Sequence, residues 1–105
     1  MKKYKVMVMP EVKIQLRKYL GYLRNEKKNE QAYDSVKKDY KDTIESLEDI
    51  AGSLRDCDNP ILSRRGLKRI KFMRHDYVLL YRMKGDVAEV VAMFHTLEDY
   101  ENKMR

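Results

Sequence analysis

The chain is poor in the residues that carry covalent and metal chemistry. Its 105 residues include one cysteine, two histidines, four glycines, two prolines and no tryptophan. A single cysteine, Cys57, excludes an intrachain disulfide and is typical of a reducing compartment, so we expect a cytoplasmic protein. Two histidines and one cysteine do not make up a zinc site. We therefore expect neither a metal ion nor another cofactor.

The sequence also has no long hydrophobic run. The short apolar stretch near the N-terminus is interrupted by Pro10, Glu11 and Lys13, which come too early for the apolar core of a signal peptide. No window has the length of apolar chain that a membrane span needs. A chain of this size forms one modest core, so we expect a single domain over residues 1–105 and no membrane association.

What the chain has in excess is positive charge, and this charge is concentrated in one segment. The whole sequence carries +6, whereas the segment from Ser63 to Lys84 holds eight basic residues and one acid, a net charge of +7. The rest of the chain is therefore close to neutral. Cations that project from a rigid element attract a polyanion or an acidic protein, so this segment is the first candidate for a binding site.

The apolar residues recur with two different periods. Alternation over residues 4–9 predicts a strand, and helical spacing predicts a helix from Glu11 and a longer one from Ala32 to Leu54. The charged outer side of the longer helix, which includes Asp39, indicates a solvated surface. After Pro60 the period changes to two, and turn residues divide that part into three strands before a short C-terminal helix. The sequence thus predicts an α+β fold of order βααβββ(α): a small antiparallel-rich sheet with an N-terminal strand and an αα-hairpin packed on one face.

The predicted hairpins assign side chains to the two faces of the sheet. With a two-residue turn in each hairpin, alternation places one apolar set against the helices and leaves a mixed face open to a partner. That open face would carry Arg69, Lys71, Arg82 and His95. In this register Arg82 lies across from Arg69, and His95 lies opposite Arg74.

Three stretches of the chain are similar to one known family. They are residues 67–72 (LKRIKF), 76–82 (DYVLLYR) and 94–100 (FHTLEDY). Together with the strand–helix–helix–sheet order, they make the whole chain resemble the RelE/ParE superfamily of toxins from bacterial type II toxin–antitoxin modules. The resemblance implies a small cytoplasmic protein that an acidic or amphipathic antitoxin neutralises. RelE-like members cut mRNA on the ribosome, and ParE-like members inhibit DNA gyrase.

The resemblance also implies which residues would form a cleavage site. Metal-free RNA cleavage needs a base for the 2′-hydroxyl, an acid for the leaving oxygen and cations around the phosphate. Arg69 and Lys71 fall at the two basic positions of RelE-like enzymes, whereas Val78 stands where those enzymes carry an arginine. Arg82, on the same predicted face, would supply that cation from a shifted place. The candidate catalytic set, with two residues near the C-terminus, is Arg69, Lys71, Arg82, His95 and Tyr100.

Three more arginines are candidate contacts for nucleic acid or the antitoxin. Arg64 and Arg65 precede the second predicted strand, and Arg74 ends it. A simpler interpretation of the cations of the sheet stays open. In it they only keep an open sheet soluble, and Glu89 is their ion-pair partner. For His95 the simpler interpretation is a hydrogen bond to the C-terminal segment.

The cations on the expected face favour one mechanism over two others. With these cations, the resemblance implies a toxin that inhibits growth by ribosome-dependent mRNA cleavage as a metal-independent endoribonuclease, with the antitoxin, the ribosome and mRNA as partners. The long helical hairpin, from Pro10 to Leu54, is more similar to ParE-like members and favours inhibition of DNA gyrase through protein binding. A relative that binds its antitoxin without being toxic is the third interpretation.

Overall fold

The computed structural model describes residues 3–103, and its elements follow the predicted order. Pro60–Arg64 adds one short helix that the sequence did not predict. The predicted α+β order of βααβββ(α) is confirmed. The elements are β1 (Lys5–Val8), α1 (Pro10–Gly21), α2 (Glu30–Ile50), α3 (Pro60–Arg64), β2 (Leu67–Lys71), β3 (Tyr77–Lys84), β4 (Val87–His95) and α4 (Tyr100–Lys103).

The four strands form one mixed sheet in the order β1-β4-β3-β2. β1 pairs with β4 in parallel, and the two other pairs are antiparallel. The turn between β3 and β4 contains Gly85, whose φ of 60° lies in the left-handed region that glycine adopts without strain. This arrangement places β3 and β4 at the centre and leaves β1 and β2 as edge strands.

α1 and α2 form the helical hairpin that the sequence predicted. Pro10 occupies the start of α1, where its missing N–H costs nothing. A π-helical turn over Tyr22–Glu26 ends that helix. The side chain of Asn29 then accepts a hydrogen bond from the N–H of Ala32 (3.0 Å) and caps α2.

The main core fills the space between the helical hairpin and one face of the sheet. The side chain of Tyr81 lies in this core, and its hydroxyl donates a hydrogen bond to the carbonyl of Ala51 (2.7 Å). The one polar atom of this buried side chain therefore has a partner. The hairpin therefore packs on one face, as predicted. Buried residues of this first cluster include Val12, Leu20, Val36, Leu47, Phe72, Leu79, Tyr81, Val90 and Met93.

The opposite face of the sheet, here called the second face, has a smaller cluster of its own. Val78 and Leu80 are fully buried there. They pack with Leu62 of α3 and with Phe94, and Tyr100 of α4 lies against the same cluster. The prediction that this face is open to a partner is therefore wrong along the centre of β3, because α3 and the C-terminal segment cover it.

The turn between β2 and β3 is longer than predicted because a buried carboxylate holds it. The N–H groups of residues 73–75 donate to the carboxylate of Asp39 on α2, at 2.9 to 3.3 Å. Asp39 is fully buried, so the prediction of a solvated helix surface is wrong at this position. The longer turn displaces the register between the two strands by two residues, and Arg82 lies opposite Leu67 instead of Arg69.

A β-bulge in β4 reverses the faces predicted for the end of that strand. Val91 is an extra residue between two successive pairs that β4 forms with β3. Side chains alternate along a strand, so one extra residue changes the face to which the following ones point. Beyond the bulge Phe94 lies in the second cluster and Met93 in the first, the reverse of the prediction.

Candidate functional site

Three of the predicted catalytic cations project from the second face. Arg69 and Lys71 alternate with the inward-packed Ile70, and Arg82 alternates with the inward-packed Tyr81 and Met83. The pairing places Arg69 beside Leu80 and Lys71 beside Val78. The three cations therefore share a face, as predicted, with Lys71 two residues from Arg69 on β2 and Arg82 two residues from the β3 partner of Arg69.

The side chain of Arg82 forms an ion pair with an acidic residue of the sheet. Its guanidinium forms an ion pair with Glu89 of β4, with a nitrogen–oxygen distance of 2.7 Å, and Lys84 lies 3.6 Å from the same carboxylate. The hydrogen bond from Arg82 lowers the pKa of Glu89 below its usual value, so the acid stays ionised. This is the ion pair of the simpler interpretation, and the role of Arg82 as a shifted phosphate cation stays a prediction.

Arg69 and Tyr100 are the two predicted catalytic residues that the structure brings together. The guanidinium of Arg69 donates to the Tyr100 hydroxyl (2.9 Å), and the Tyr100 ring stacks on Phe94 with centroids 5.9 Å apart. Beside them lies a cavity of about 100 Å³, which Cys57 and Asn59 also line. Lys71 stands farther along the face, at the turn, where it forms an ion pair with Asp76 (3.4 Å).

A wide groove lies on the second face, next to α1. This groove measures about 830 Å³. Arg65, Arg82 and Lys103 are the basic residues of its lining, Glu11 is the acidic one, and Leu67 and Phe94 contribute apolar surface. Such a surface favours an acidic or amphipathic partner over a small substrate. Sequence reasoning missed Lys103, because only the docking of α4 brings it to the groove.

His95 lies on the other side of the sheet. The bulge in β4 turns its side chain towards the helical hairpin, where its ring meets that of Tyr77 edge-on with centroids 5.2 Å apart. Its Nδ1 accepts a hydrogen bond from the N–H of Leu97 (3.1 Å). This hydrogen bond to the C-terminal segment is the one that the simpler interpretation of His95 predicted. The sheet therefore stands between His95 and the predicted cations.

The groups around His95 form a tight hydrogen-bonded set that the sequence did not indicate. The Tyr19 hydroxyl and the backbone N–H of His95 both donate to Glu98, and Lys103 donates to its other oxygen (2.6 Å). Burial alone raises the pKa of Glu98, but the hydrogen bonds from Lys103 and Tyr19 outweigh it and hold the pKa at about 2. Burial, together with the carboxylate, raises the pKa of Tyr19 well above 10.0. Glu98 is thus an ionised structural group.

The three predicted contact arginines lie in different places. Arg64 ends α3 and is exposed, and Arg65 lines the groove. Arg74 instead turns towards α2, where its guanidinium forms an ion pair with Asp42 (3.2 Å). The groove and the edge of α3 therefore hold two of the three, and Arg74 belongs to the contact between the turn and the helix.

The basic residues of the groove lie apart from the histidines of the described chain. The groove has three basic residues and one acidic residue in its lining, whereas His95 faces the helical hairpin, and His75 bonds to Ser35 of α2 (2.8 Å). Cleavage of RNA needs an acid–base pair beside the cations. Tyr100 is the one predicted acid–base candidate on the second face.

The comparisons with known proteins agree with the fold. Residues 6–100 match a family model described as the ParE toxin of the type II toxin–antitoxin system parDE. A chain of the solved chromosomal ParDE TA system from P. aeruginosa superposes with a TM-score of 0.71 at 15% sequence identity, covering 89% of this chain and 96% of that one. No curated protein matches the sequence. No helix within residues 3–103 has the length and apolar character that crossing a bilayer requires.

Proposed function

The chain belongs to the ParE toxin family of type II toxin–antitoxin systems, and on that premise we propose that it arrests growth by binding its target, DNA gyrase, rather than by cutting RNA. Membership of the family implies a cognate antitoxin as partner. The proposal reverses the preference that the sequence alone suggested between the two mechanisms.

The position of His95 carries this proposal. A histidine that serves as base or acid must lie within hydrogen-bond reach of the reacting group, and the sheet lies between His95 and the cations that would hold the phosphate. Val78, at the position where RelE-like enzymes carry an arginine, is fully buried in the second cluster and has no room for a guanidinium. Arg82 is held by Glu89. These three observations favour a binding function.

The helical hairpin offers the surface that a binding function needs. α2 has 21 residues, a length of about 30 Å for an α-helix. Together with α1 it presents an extended, charged outer side, and the groove adds cations on the second face. A protein that acts by occupying another protein needs this kind of area more than it needs a cleft.

RNA cleavage is the second candidate, and one contact favours it. Arg69 and Tyr100 touch on the second face, so a cation and a phenol stand within hydrogen-bond distance there. The substitution Tyr100→Phe separates the two candidates, because it removes the hydroxyl and keeps the ring that stacks on Phe94. A cleaving toxin loses its activity with this change, and a gyrase-binding toxin keeps it.

The test is induced expression of the wild type and of Tyr100→Phe, with three readouts. Growth reports toxicity, primer extension on abundant mRNAs reports cleavage, and the superhelical density of a reporter plasmid reports gyrase activity. We expect both proteins to arrest growth, with intact transcripts and a relaxed plasmid. Cut transcripts with normal supercoiling, abolished by Tyr100→Phe, would establish the second candidate. Continued growth with both proteins would establish a non-toxic relative.

A further inference from the structure

A second cavity lies on the helix side of the sheet, and the ion pair of Glu98 in its lining with Lys103 of the groove separates the two. It measures about 450 Å³ and opens between α1, the turn that follows it and the end of β4. We call it the tyrosine pocket. Its lining consists of Tyr19, Tyr22, Leu23, Tyr77, His95 and Glu98, with Lys18 at the edge.

The walls of the tyrosine pocket are held in place. The rings of Tyr19 and Tyr77 lie with centroids 5.1 Å apart, and His95 meets Tyr77 edge-on. The Tyr19 hydroxyl donates to Glu98, which also accepts from Lys103, so these two polar groups of the wall are already paired. What the pocket offers to a ligand is therefore mainly aromatic and aliphatic surface. Such a lining suits an apolar side chain better than a polar small molecule.

The mouth of the pocket exposes apolar side chains that the fold does not use. Leu97, between the lining residues His95 and Glu98, is 89% exposed, and Tyr22 is 52% exposed. The exposed ring of Tyr22 continues the apolar lining of the pocket, and an exposed apolar patch of this kind is typical of an interface. Burying it against a partner removes apolar surface from water and so favours binding.

The charges at the mouth indicate the character of the partner. Lys18 is an exposed residue of the lining, and the ammonium of Lys27 lies 5.8 Å from the centre of the Tyr22 ring. The acid of the pocket, Glu98, is already neutralised by Lys103. The mouth is therefore apolar with a cationic edge, which complements a peptide segment that carries one large apolar side chain among acidic ones.

We propose that the tyrosine pocket anchors the cognate antitoxin by taking one aromatic or leucine side chain from an acidic segment of it. The existence of a cognate antitoxin follows from membership of the family. The proposal rests on the proposed function in one respect, which is that binding of the antitoxin here neutralises the toxin. The pocket lies on the opposite side of the sheet from the groove that holds Arg65 and Arg82.

The test measures binding and toxicity separately. The probe is the small protein encoded next to this gene, purified and titrated against the wild type and against Leu97→Ser, Tyr22→Ala and Met7→Ser. Met7 is a matched control, because it is 53% exposed on β1 and pairs with Glu89, six residues along β4 from His95, about 20 Å away. We expect Leu97→Ser and Tyr22→Ala each to weaken binding about tenfold or more, a loss of about 1.4 kcal/mol. Met7→Ser should bind as the wild type does, and thermal melting should confirm that all variants fold.

Three results would overturn the proposal. The first is wild-type affinity in both pocket variants. The second is equal weakening by Met7→Ser. The third is a change in the oligomeric state of the isolated protein, or a loss of toxicity, with antitoxin binding unchanged, since the pocket would then serve a second copy or the target. If the wild type cuts RNA or is not toxic while the pocket variants still lose antitoxin affinity, the proposed function fails and this proposal stands.

Discussion

At the scale of single residues, the carboxylate of Asp39 takes the place of backbone carbonyls as a hydrogen-bond acceptor. The turn after β2 leaves three consecutive N–H groups without strand partners, and the carboxylate of Asp39 accepts all three. A buried N–H without an acceptor costs free energy comparable to a lost hydrogen bond. Asp39 thereby fixes the turn to α2 and sets the register of β2 against β3.

Substitution of Asp39 tests this role. Asp39→Asn keeps the volume but puts an amide NH₂ where an oxygen accepted, so at least one N–H loses its acceptor. We expect the free energy of unfolding to fall by about 2 to 3 kcal/mol, measured by urea denaturation. Asp42→Asn is the control on the same helix, because Asp42 pairs with side chains at the surface, and its effect should be much smaller. Equal effects of the two substitutions would contradict the assignment.

Glu98 makes stability depend on pH in a defined direction. Its pKa in the folded protein is about 2, below the 4.5 of an unfolded chain. A depressed pKa means that the carboxylate stabilises the fold fully above pH 4.5 and ceases to do so as the pH falls towards 2. Glu98→Gln should therefore be less stable than the wild type at neutral pH. The difference between the two free energies of unfolding, measured by urea denaturation at several pH values, should narrow as the pH falls from 4.5 towards 2. A difference that stays constant with pH would exclude the ionised form as the stabilising one.

At the scale of elements, β4 shows where the alternation of residues along a strand no longer predicts which face of the sheet a side chain points to. Before Val91 the alternation predicts the faces correctly, and beyond it every side chain points to the other face. The bulge lies in an unbroken apolar run from Val90 to Phe94, in which apolar residues suit both faces because both are buried. A pattern with no polar positions cannot reveal an extra residue.

The end of α2 offers a test of close packing between elements. Gly52 follows α2, and a Cβ at this position would overlap the ring of Tyr4. Gly52→Ala should therefore destabilise the fold by about 1 to 2 kcal/mol, since the ring must move away. Gly21→Ala is the matched control, because its Cβ would meet nothing closer than 4.0 Å and alanine favours the helix.

A double-mutant cycle identifies the contact. In the background of Tyr4→Ala the cost of Gly52→Ala should disappear, because the overlapping ring is absent. Thermal unfolding of the four proteins measures this. A cost that persists without the ring would mean that Gly52 is needed for a reason other than its contact with Tyr4.

At the scale of the whole molecule, the fold could be predicted from the sequence more completely than the site. The order of elements follows from the change of period after Pro60, and the core of the helical hairpin follows from helical spacing. The site depends on long-range geometry instead: the capture of a turn by Asp39, the extra residue at Val91 and the docking of α4. Each of these comes from contacts between segments far apart in the chain, which local patterns do not contain.

The same geometry separates the two sides of the molecule. The second face presents cations next to apolar surface, with Arg69 and Tyr100 in contact, and the helix side holds the tyrosine pocket with His95 in its wall. This division of the histidine from the cations is the observation on which the proposed binding function rests.

The most direct measurement is a supercoiling assay with purified gyrase, relaxed plasmid and purified toxin, run in parallel with a ribosome-bound mRNA cleavage assay on the same preparation. We expect the toxin to block supercoiling at concentrations near that of the enzyme and to leave the mRNA intact, and the wild type and Tyr100→Phe to behave alike. Normal supercoiling together with mRNA that is cut by the wild type and spared by Tyr100→Phe would contradict the account.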